Sequence, residues 1–375
     1  MRSRTLLAIV ASGVLALGAA ACGSSKKSST SSNSSSTGTS TSSGSGGSVS
    51  GTVNGAGSTF AAPVYQQWSS ELKSQGITLN YQAVGSGAGV ASWTAGTADF
   101  AGSDPALTPD DKKAAKKGEP VQVPVFFGAI TVAYNLSGVK SGLKLDGKTI
   151  ADIFSGKVKK WNDPEIAALN SGASLPSGNI TIVHRSDESG TTKGFTTFLS
   201  DTSPTWKSKI GADKTVKWPT GTGAKGNDGV AAAVKQTASS IGYVEEAYAL
   251  QNNFTVADVK NSAGKFVAPT LDSTTAAGNG LKIPPDLGIS AINSANPDAY
   301  PIASQTFIDV YKDPCKAGMS QGNAKALGAF LNFALDKGQG ELGQLYYAKL
   351  PADILAKSKA AVAGLTCNGS ALTGS

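Results

Sequence analysis

The chain has 375 residues, 40% hydrophobic and 16% charged, a balance that describes a soluble globular protein rather than a disordered one. Its formal charge of +7 becomes +5 once Arg2 and Arg4 leave with an N-terminal leader, 31 basic against 26 acidic residues. These charges are spread without a dense basic run, which argues against nucleic acid as a partner. One histidine and three cysteines cannot supply the usual zinc or iron ligand sets, so no metal is expected.

At the N-terminus, Met1-Arg-Ser-Arg4 is basic, Leu6 to Leu17 is apolar, and Ala19-Ala-Ala-Cys22 is a small-residue cleavage pattern ending in cysteine. Residues 1–22 therefore read as a lipoprotein signal with lipidation at Cys22, although Ala19 stands where such signals usually carry Leu. A plain secretory leader or an uncleaved anchor are the alternatives, and each places the protein outside the cytoplasm. Residues 23–50 are almost wholly Ser, Thr and Gly, a flexible tether spanning about 30 Å. In that oxidising location Cys315 and Cys367 form an even pair, available as a disulfide or as two buried thiols.

The remaining 325 residues suit two lobes better than one small core. Gly55-Ala-Gly-Ser-Thr-Phe60 leads into a helix-like run from Ala61 to Lys73, with Pro63 where a first turn tolerates it, so the donors of Ser58, Thr59 and Phe60 face outward. Ile77, Leu79 and Tyr81 alternate as in a strand, and Gly85-Ser-Gly-Ala-Gly89 then turns into a second helix with Ser86 at its start. Thr97-Ala-Asp-Phe-Ala-Gly-Ser-Asp-Pro105 reads as a short strand that delivers the carboxylate of Asp104. In Asn179 to Leu199 an apolar strand, Arg185, Asp187, a Ser-Gly-Thr turn and a helix follow one another directly. A helix starting at Ser189 aims the free amides of Gly190, Thr191 and Thr192 at one point, where the hydroxyls of Ser189 and Thr191 and the planar fork of Arg185 also converge. Together these junctions make an anion cradle.

With those motifs, and with Leu145-Asp-Gly-Lys-Thr149, Lys159-Lys-Trp161, Val216-Lys-Trp-Pro219, Gly226-Asn-Asp-Gly229 and Ile241-Gly-Tyr-Val-Glu245, the chain from about residue 53 to 360 resembles the phosphate-binding proteins of bacterial ABC-type phosphate importers. The resemblance implies an α/β, two-lobed periplasmic-binding-protein fold of type II and phosphate ligands at Thr59, Phe60, Ser86, Asp104, Arg185, Ser189, Gly190 and Thr191. It also implies delivery of inorganic phosphate to the importer's membrane permease subunits, with no cofactor and no catalytic residue. Ser58 and Asp187 are expected in support, and Glu188 stands where a small residue is common.

Arg185 and Asp187 are two apart, so a persisting strand puts them on one face as a pair. An ionised Asp104 can only accept a hydrogen bond, which favours an oxyanion that keeps a proton, such as phosphate, over sulfate, which does not. Lobe 1 is expected to take residues 51–125 and 302–375 and lobe 2 residues 126–301, with crossings at Val121–Val125 and Ala299–Ile302.

Two motif matches lead elsewhere. Gly142-Leu-Lys-Leu-Asp-Gly-Lys-Thr149 fits the nucleotide P-loop pattern, but no strand feeds directly into it, and it reads as a hairpin edge before a helix from Ile150. Gly221-Thr-Gly-Ala-Lys-Gly226 fits the dinucleotide fingerprint, but it follows Trp218-Pro219 and reads as a surface loop. The competing classes are a phosphate sensor or scavenger uncoupled from transport and a serine hydrolase using Ser189 and His184. Against the hydrolase, His184 and Arg185 leave a strand on opposite faces, and the glycine before a nucleophile elbow is missing.

Overall fold

The computed structural model describes residues 49–372. The signal at residues 1–22, lipidation at Cys22 and nearly all of the 23–50 tether lie outside the described residues. Nine strands form one sheet: β1 (Gly51–Gly57), β2 (Ile77–Ala83), β3 (Phe100–Ser103), β4 (Pro120–Asn135), β5 (Thr181–Arg185), β6 (Thr222–Ala224), β7 (Ser240–Glu245), β8 (Thr255–Val256) and β9 (Ala303–Tyr311). The order is β2-β1-β3-β9-β4-β7-β5-β6, with β8 also on β4. The strands β1, β2 and β3 are parallel, as are β5, β6 and β7.

The two halves of the sheet share β4. Its residues Pro120–Ala129 pair antiparallel with β9, and Ile130–Asn135 pair antiparallel with β7. Partners are therefore exchanged between Ala129 and Ile130, later than the expected crossing at Val121–Val125, because Val121 to Val123 are held in the ladder to β9. The other expected crossing, Ala299–Ile302, runs directly into β9. Residues 284–292, expected in lobe 2, bond back to the first half. Gln122 Nε2 donates to the Asp286 carbonyl at 2.8 Å, Lys112 pairs with Asp286, and the Ala291 amide donates to Gln305 Oε1 at 2.9 Å.

Pro124 perturbs the register. It has no N–H for the ladder, and the pairing with β9 slips between Thr306 and Phe307, an irregularity of the kind that re-aims side chains beside functional sites. Four helices border the cleft: α1 (Ala62–Lys73), α2 (Ser86–Ala95), α3 (Gly190–Thr202) and α4 (Gly226–Gln236). The first buries Val64, Tyr65, Trp68 and Leu72 completely, the i, i+4 and i+8 spacing of a core-facing stripe. Trp68 then meets Phe126, Phe330 and Phe333 edge-on at 5.8–6.3 Å.

Both motif decoys have structural explanations. Lys144–Leu145 pairs parallel with Asp258–Val259 rather than forming a hairpin edge, and the following helix starts at Gly147 because Asp146 caps the Thr149 amide at 2.8 Å. Lys148 is spent on Asp152 and Glu165. The expected surface loop at 221–226 contains β6, the edge strand beside β5, and ends at the first residue of α4.

Cys315 and Cys367 form a disulfide across 52 residues, and Asp313 accepts from Thr366 Oγ1 and the Asn368 and Gly369 amides alongside it. Closing a loop of that length stabilises the fold by about 4 kcal/mol on the chain-entropy account. Cys315→Ser is expected to lower unfolding stability in urea by about that amount and to make the midpoint indifferent to added reductant; an unchanged midpoint in oxidising buffer contradicts the assignment.

Candidate functional site

The carboxyl ends of the parallel strands all face one cleft. Ser58 to Phe60 follow β1, Ser86 follows β2, Asp104 follows β3, Arg185 ends β5, Gly226 and Asn227 follow β6, and Glu245 ends β7. In open α/β sheets this is where ligands bind, because the loops leaving those strand ends enter helices whose unpaired amides point back at the crevice. Ser58, Thr59, Phe60, Ser86, Asp104, Arg185, Ser189 and Thr191 are all at most 4% exposed, so what they contact is stripped of water.

On the first half of the sheet, Asp104 is the focus. Ser58 Oγ donates to its Oδ1 at 2.6 Å and Thr306 Oγ1, beside the register slip, donates to the same oxygen at 2.9 Å. Gln305 Nε2 holds its carbonyl at 2.7 Å. The other carboxylate oxygen, Oδ2, receives a longer 3.3 Å bond from Ser86 Oγ and keeps capacity to accept. Burial pushes the Asp104 carboxyl up to about 6, against the opposing pull of the Ser58 and Thr306 bonds and the Arg185 charge. Phe60 contributes only backbone. Its ring packs edge-on to Tyr347 at 5.9 Å within the core, and its carbonyl accepts from Tyr347 Oη at 2.6 Å.

On the second half, Arg185 Nε donates to Asp187 Oδ1 at 2.7 Å while Nη2 meets Oδ2, a two-pronged pair that fixes the plane of a buried guanidinium. Burial alone would raise the Asp187 carboxyl, but the Arg185 bonds and charge outweigh it and hold the group below the usual carboxylate range. The Gly226 amide adds a third bond to Asp187 at 3.0 Å. Ser189 caps α3 and accepts the Thr192 amide at 3.0 Å, so that amide, expected free, is taken by the cap, and only the Gly190 and Thr191 amides are left without intrahelical acceptors. Tyr243 Oη underpins both pieces, accepting the Arg185 amide at 3.0 Å and sharing a 2.6 Å bond with the Thr192 hydroxyl.

The two half-sites meet. A Cβ added to Gly190 would sit 2.3 Å from Asp104 Oδ2 and 2.4 Å from Ser86 Oγ, so only glycine admits this approach of α3 to the opposite half. Asn227 ties the halves together. Its amide and Nδ2 donate to Thr59 Oγ1 at 3.2 and 2.9 Å, Nδ2 also reaches Thr191 Oγ1 at 3.1 Å, and its Oδ1 accepts the Glu245 amide at 3.0 Å. Thr191 Oγ1 accepts in addition from Arg185 Nη1 at 3.2 Å. With their oxygens accepting twice, the hydroxyls of Thr59 and Thr191 keep their own protons for donation elsewhere. Tyr248 Oη donates to the Thr59 carbonyl at 2.8 Å, and the Gly87 amide donates to the Glu188 carbonyl at 3.1 Å. Glu188 itself is exposed at the rim, its side chain lying over Gly87.

All eight residues expected at the cradle are thus brought to one place, together with Ser58 and Asp187. Sequence reasoning gave no role to Asn227, Gln305, Thr306 or Tyr243. The Gly226-Asn-Asp-Gly229 motif was a usable signal for the first. The other three act through contacts 51 to 202 residues apart in sequence that no local pattern announces. His184 turns away from the cradle, stacked on Trp218 at 4.7 Å with Nδ1 3.0 Å from the Arg185 carbonyl, and burial holds its imidazole below its ordinary value. Among the described residues no group of three or more His, Cys, Asp or Glu side chains is placed to hold a metal ion, and no helix is long and apolar enough to cross a membrane.

The PBP superfamily domain matches residues 36–337. The phosphate-binding protein PstS of Haemophilus influenzae is 41% identical over 314 residues, covering 82% of this chain and 91% of that protein. PstS 3 of Mycobacterium tuberculosis is 38% identical over 326 residues, 83% of this chain and 86% of its own. A high affinity periplasmic phosphate-binding protein solved with bound phosphate, PfluDING, shares the fold with a TM-score of 0.66 at 22% identity, over 83% of this chain and 93% of that one. By sequence and by fold, the chain belongs to the PBP superfamily and, within it, to the family of these phosphate-binding proteins.

Proposed function

We propose that this protein binds inorganic phosphate between the two halves of its sheet, outside the cytoplasm, and delivers it to the membrane permease of an ABC importer. The observation that carries this reading is the convergence of two dehydrated half-sites on Asp104 Oδ2, the carboxylate oxygen held only by Ser86. The donors on offer are the Arg185 fork, the amides of Thr59, Phe60, Gly190 and Thr191, and the hydroxyls of Thr59, Ser189 and Thr191, with Ser86 donating to Asp104 until a guest takes its proton. One acceptor, Asp104 Oδ2, checks that the guest still bears hydrogen. Because Asp187 offsets Arg185, the anion is held mainly by neutral dipoles, and matching of hydrogen bonds decides selectivity rather than charge. The relatives named above are phosphate-binding proteins, which supports the ligand. Catalysis has no support, since Ser189 serves as a helix cap and His184 is stacked beneath Trp218. Our reading of the lobes divides them at the partner exchange between Ala129 and Ile130, so residues 126–129 and 284–292, expected in the second lobe, go with the first.

The acceptor role of Asp104 gives the first test. Asp104→Asn is expected to narrow the phosphate-over-sulfate preference measured by titration calorimetry, and an unchanged ratio removes Asp104 from that role. The same narrowing is expected in the unmutated protein as pH falls through about 6, where the carboxylate gains a proton and becomes a donor. The stability effect has the opposite sense. With its pKa raised by burial, Asp104 takes up a proton more readily in the folded than in the unfolded chain. Its contribution therefore weakens the fold as pH rises from about 4 to about 6, and Asp104→Asn should flatten that slope.

A second test separates direct from bridging roles. Arg185→Ala should cost roughly 2–5 kcal/mol of phosphate binding, because a desolvated anion loses its only cationic fork. Asn227→Ala should cost roughly 1–3 kcal/mol, through the unsatisfied Glu245 amide and the released Thr59 and Thr191 hydroxyls. Equal affinity for Asn227→Ala and the parent protein would show that the bridge is dispensable.

The lipid attachment at Cys22 rests on the sequence pattern of residues 1–22. Metabolic labelling with a radioactive fatty acid should mark the intact chain and be lost in Cys22→Ala, with the protein released from the membrane fraction. Label retained in that variant places the anchor elsewhere.

A further inference from the structure

A groove of about 680 Å³ opens on the second half of the sheet, away from the cleft residues, and its volume lies in the range typical of small-molecule sites. Its apolar lining includes the half-buried Trp218, with Trp206 and Ile210, and its rim carries Lys157, Lys209 and Lys217. Lys157 is engaged with Asp152 and Glu165, and Asp152, the one carboxylate of the lining, is already shared by Lys148 and Lys157. Among the described residues Lys209 and Lys217 form no ion pair, and both are exposed. The groove therefore pairs the half-exposed ring of Trp218, tilted 60° to the buried Trp206, with uncompensated positive charge. Two solvated lysines on their own hold an inorganic ion weakly, so charge requires the apolar floor to contribute.

The floor is also one aromatic layer from the cradle. Trp218 stacks on His184 at 4.7 Å and on Tyr243 at 5.8 Å, and the Tyr243 hydroxyl is the group that accepts the Arg185 amide and bonds Thr192. No part of the phosphate reading uses this groove.

We propose that the groove lined by Trp206, Trp218, Lys209 and Lys217 is a second ligand site that takes a small aromatic anion: an apolar body against the half-exposed Trp218 with a carboxylate, sulfonate or phosphate-ester group at the lysines. The site is independent of the cleft and fillable while the cleft holds its own ligand.

The probe for this site is 8-anilinonaphthalene-1-sulfonate, titrated against the full chain with and without saturating phosphate and followed by probe emission and tryptophan fluorescence. One probe per chain is expected, with an affinity that phosphate does not compete away. Lys209→Glu combined with Lys217→Glu should weaken the probe at least about 10-fold by turning attraction into repulsion, and phosphate calorimetry on the same double variant should be unchanged. Trp218→Leu should weaken the probe by removing the stacking face, and its far-ultraviolet circular dichroism and melting curve report whether it folds; if it does not, the lysine variant decides alone. Binding that is absent, displaced by phosphate, or indifferent to the lysine reversal overturns the proposal.

Discussion

The cradle depends on the pairing of Arg185 with Asp187. A guanidinium at 3% exposure is costly unless its donors are met, and Asp187 meets two of them in the plane of the fork while the Gly226 amide steadies the carboxylate from behind. That pair does two things at once. It fixes where the remaining Nη1 donor points, toward Thr191, and it removes most of the net charge that a free arginine would bring. On the proposed phosphate reading, what is left for the anion is a set of oriented amides and hydroxyls at helix starts, which would distinguish guests by the number and position of hydrogens rather than by attraction at a distance.

Asp104 on the facing half is the counterpart. Its two oxygens are unequal, one saturated by Ser58 and Thr306 and the other only lightly held by Ser86. Thr306 reaches it where the ladder slips past Pro124, so a residue that cannot donate to a sheet indirectly positions a hydroxyl in the site. The two halves share a single strand that changes partners between Ala129 and Ile130, and Asn227, Tyr248 and Gly87 bond across the cleft. A ligand gripped from both sides adds to contacts the protein already makes with itself, which is how a bridging guest shifts a population toward the closed form.

Much of this was legible because the informative units are short. A strand, a glycine turn and a capped helix fit within about fifteen residues, and each of the Gly55–Phe60, Gly85–Gly89 and Arg185–Thr191 stretches shows its own turn chemistry. The Arg185–Asp187 pair was expected from a persisting strand; it forms, although the strand ends at Arg185 and Asp187 lies in a bend. Reading failed where an answer depended on what lay beside the segment. Lys144–Leu145 looks like a hairpin edge until Asp258–Val259 pairs with it in parallel, and Gly221–Gly226 looks like a loop until β5 accepts Thr222–Ala224 as an edge strand.

By itself, then, the order of residues determined the local pieces: which turns expose amides, which helix begins at Ser189, which carboxylate follows β3, and that residues 1–22 carry a leader pattern. Backbone sterics and capping are decided within a few bonds, so they need no partner. Tertiary structure alone decided that Asn227 joins Thr59 to Thr191, that Thr306 and Gln305 hold Asp104, and that β4 exchanges partners between Ala129 and Ile130. Those facts arise from contacts between residues up to about 200 positions apart, and nothing in a local run of sequence encodes which distant side chain will be folded against it.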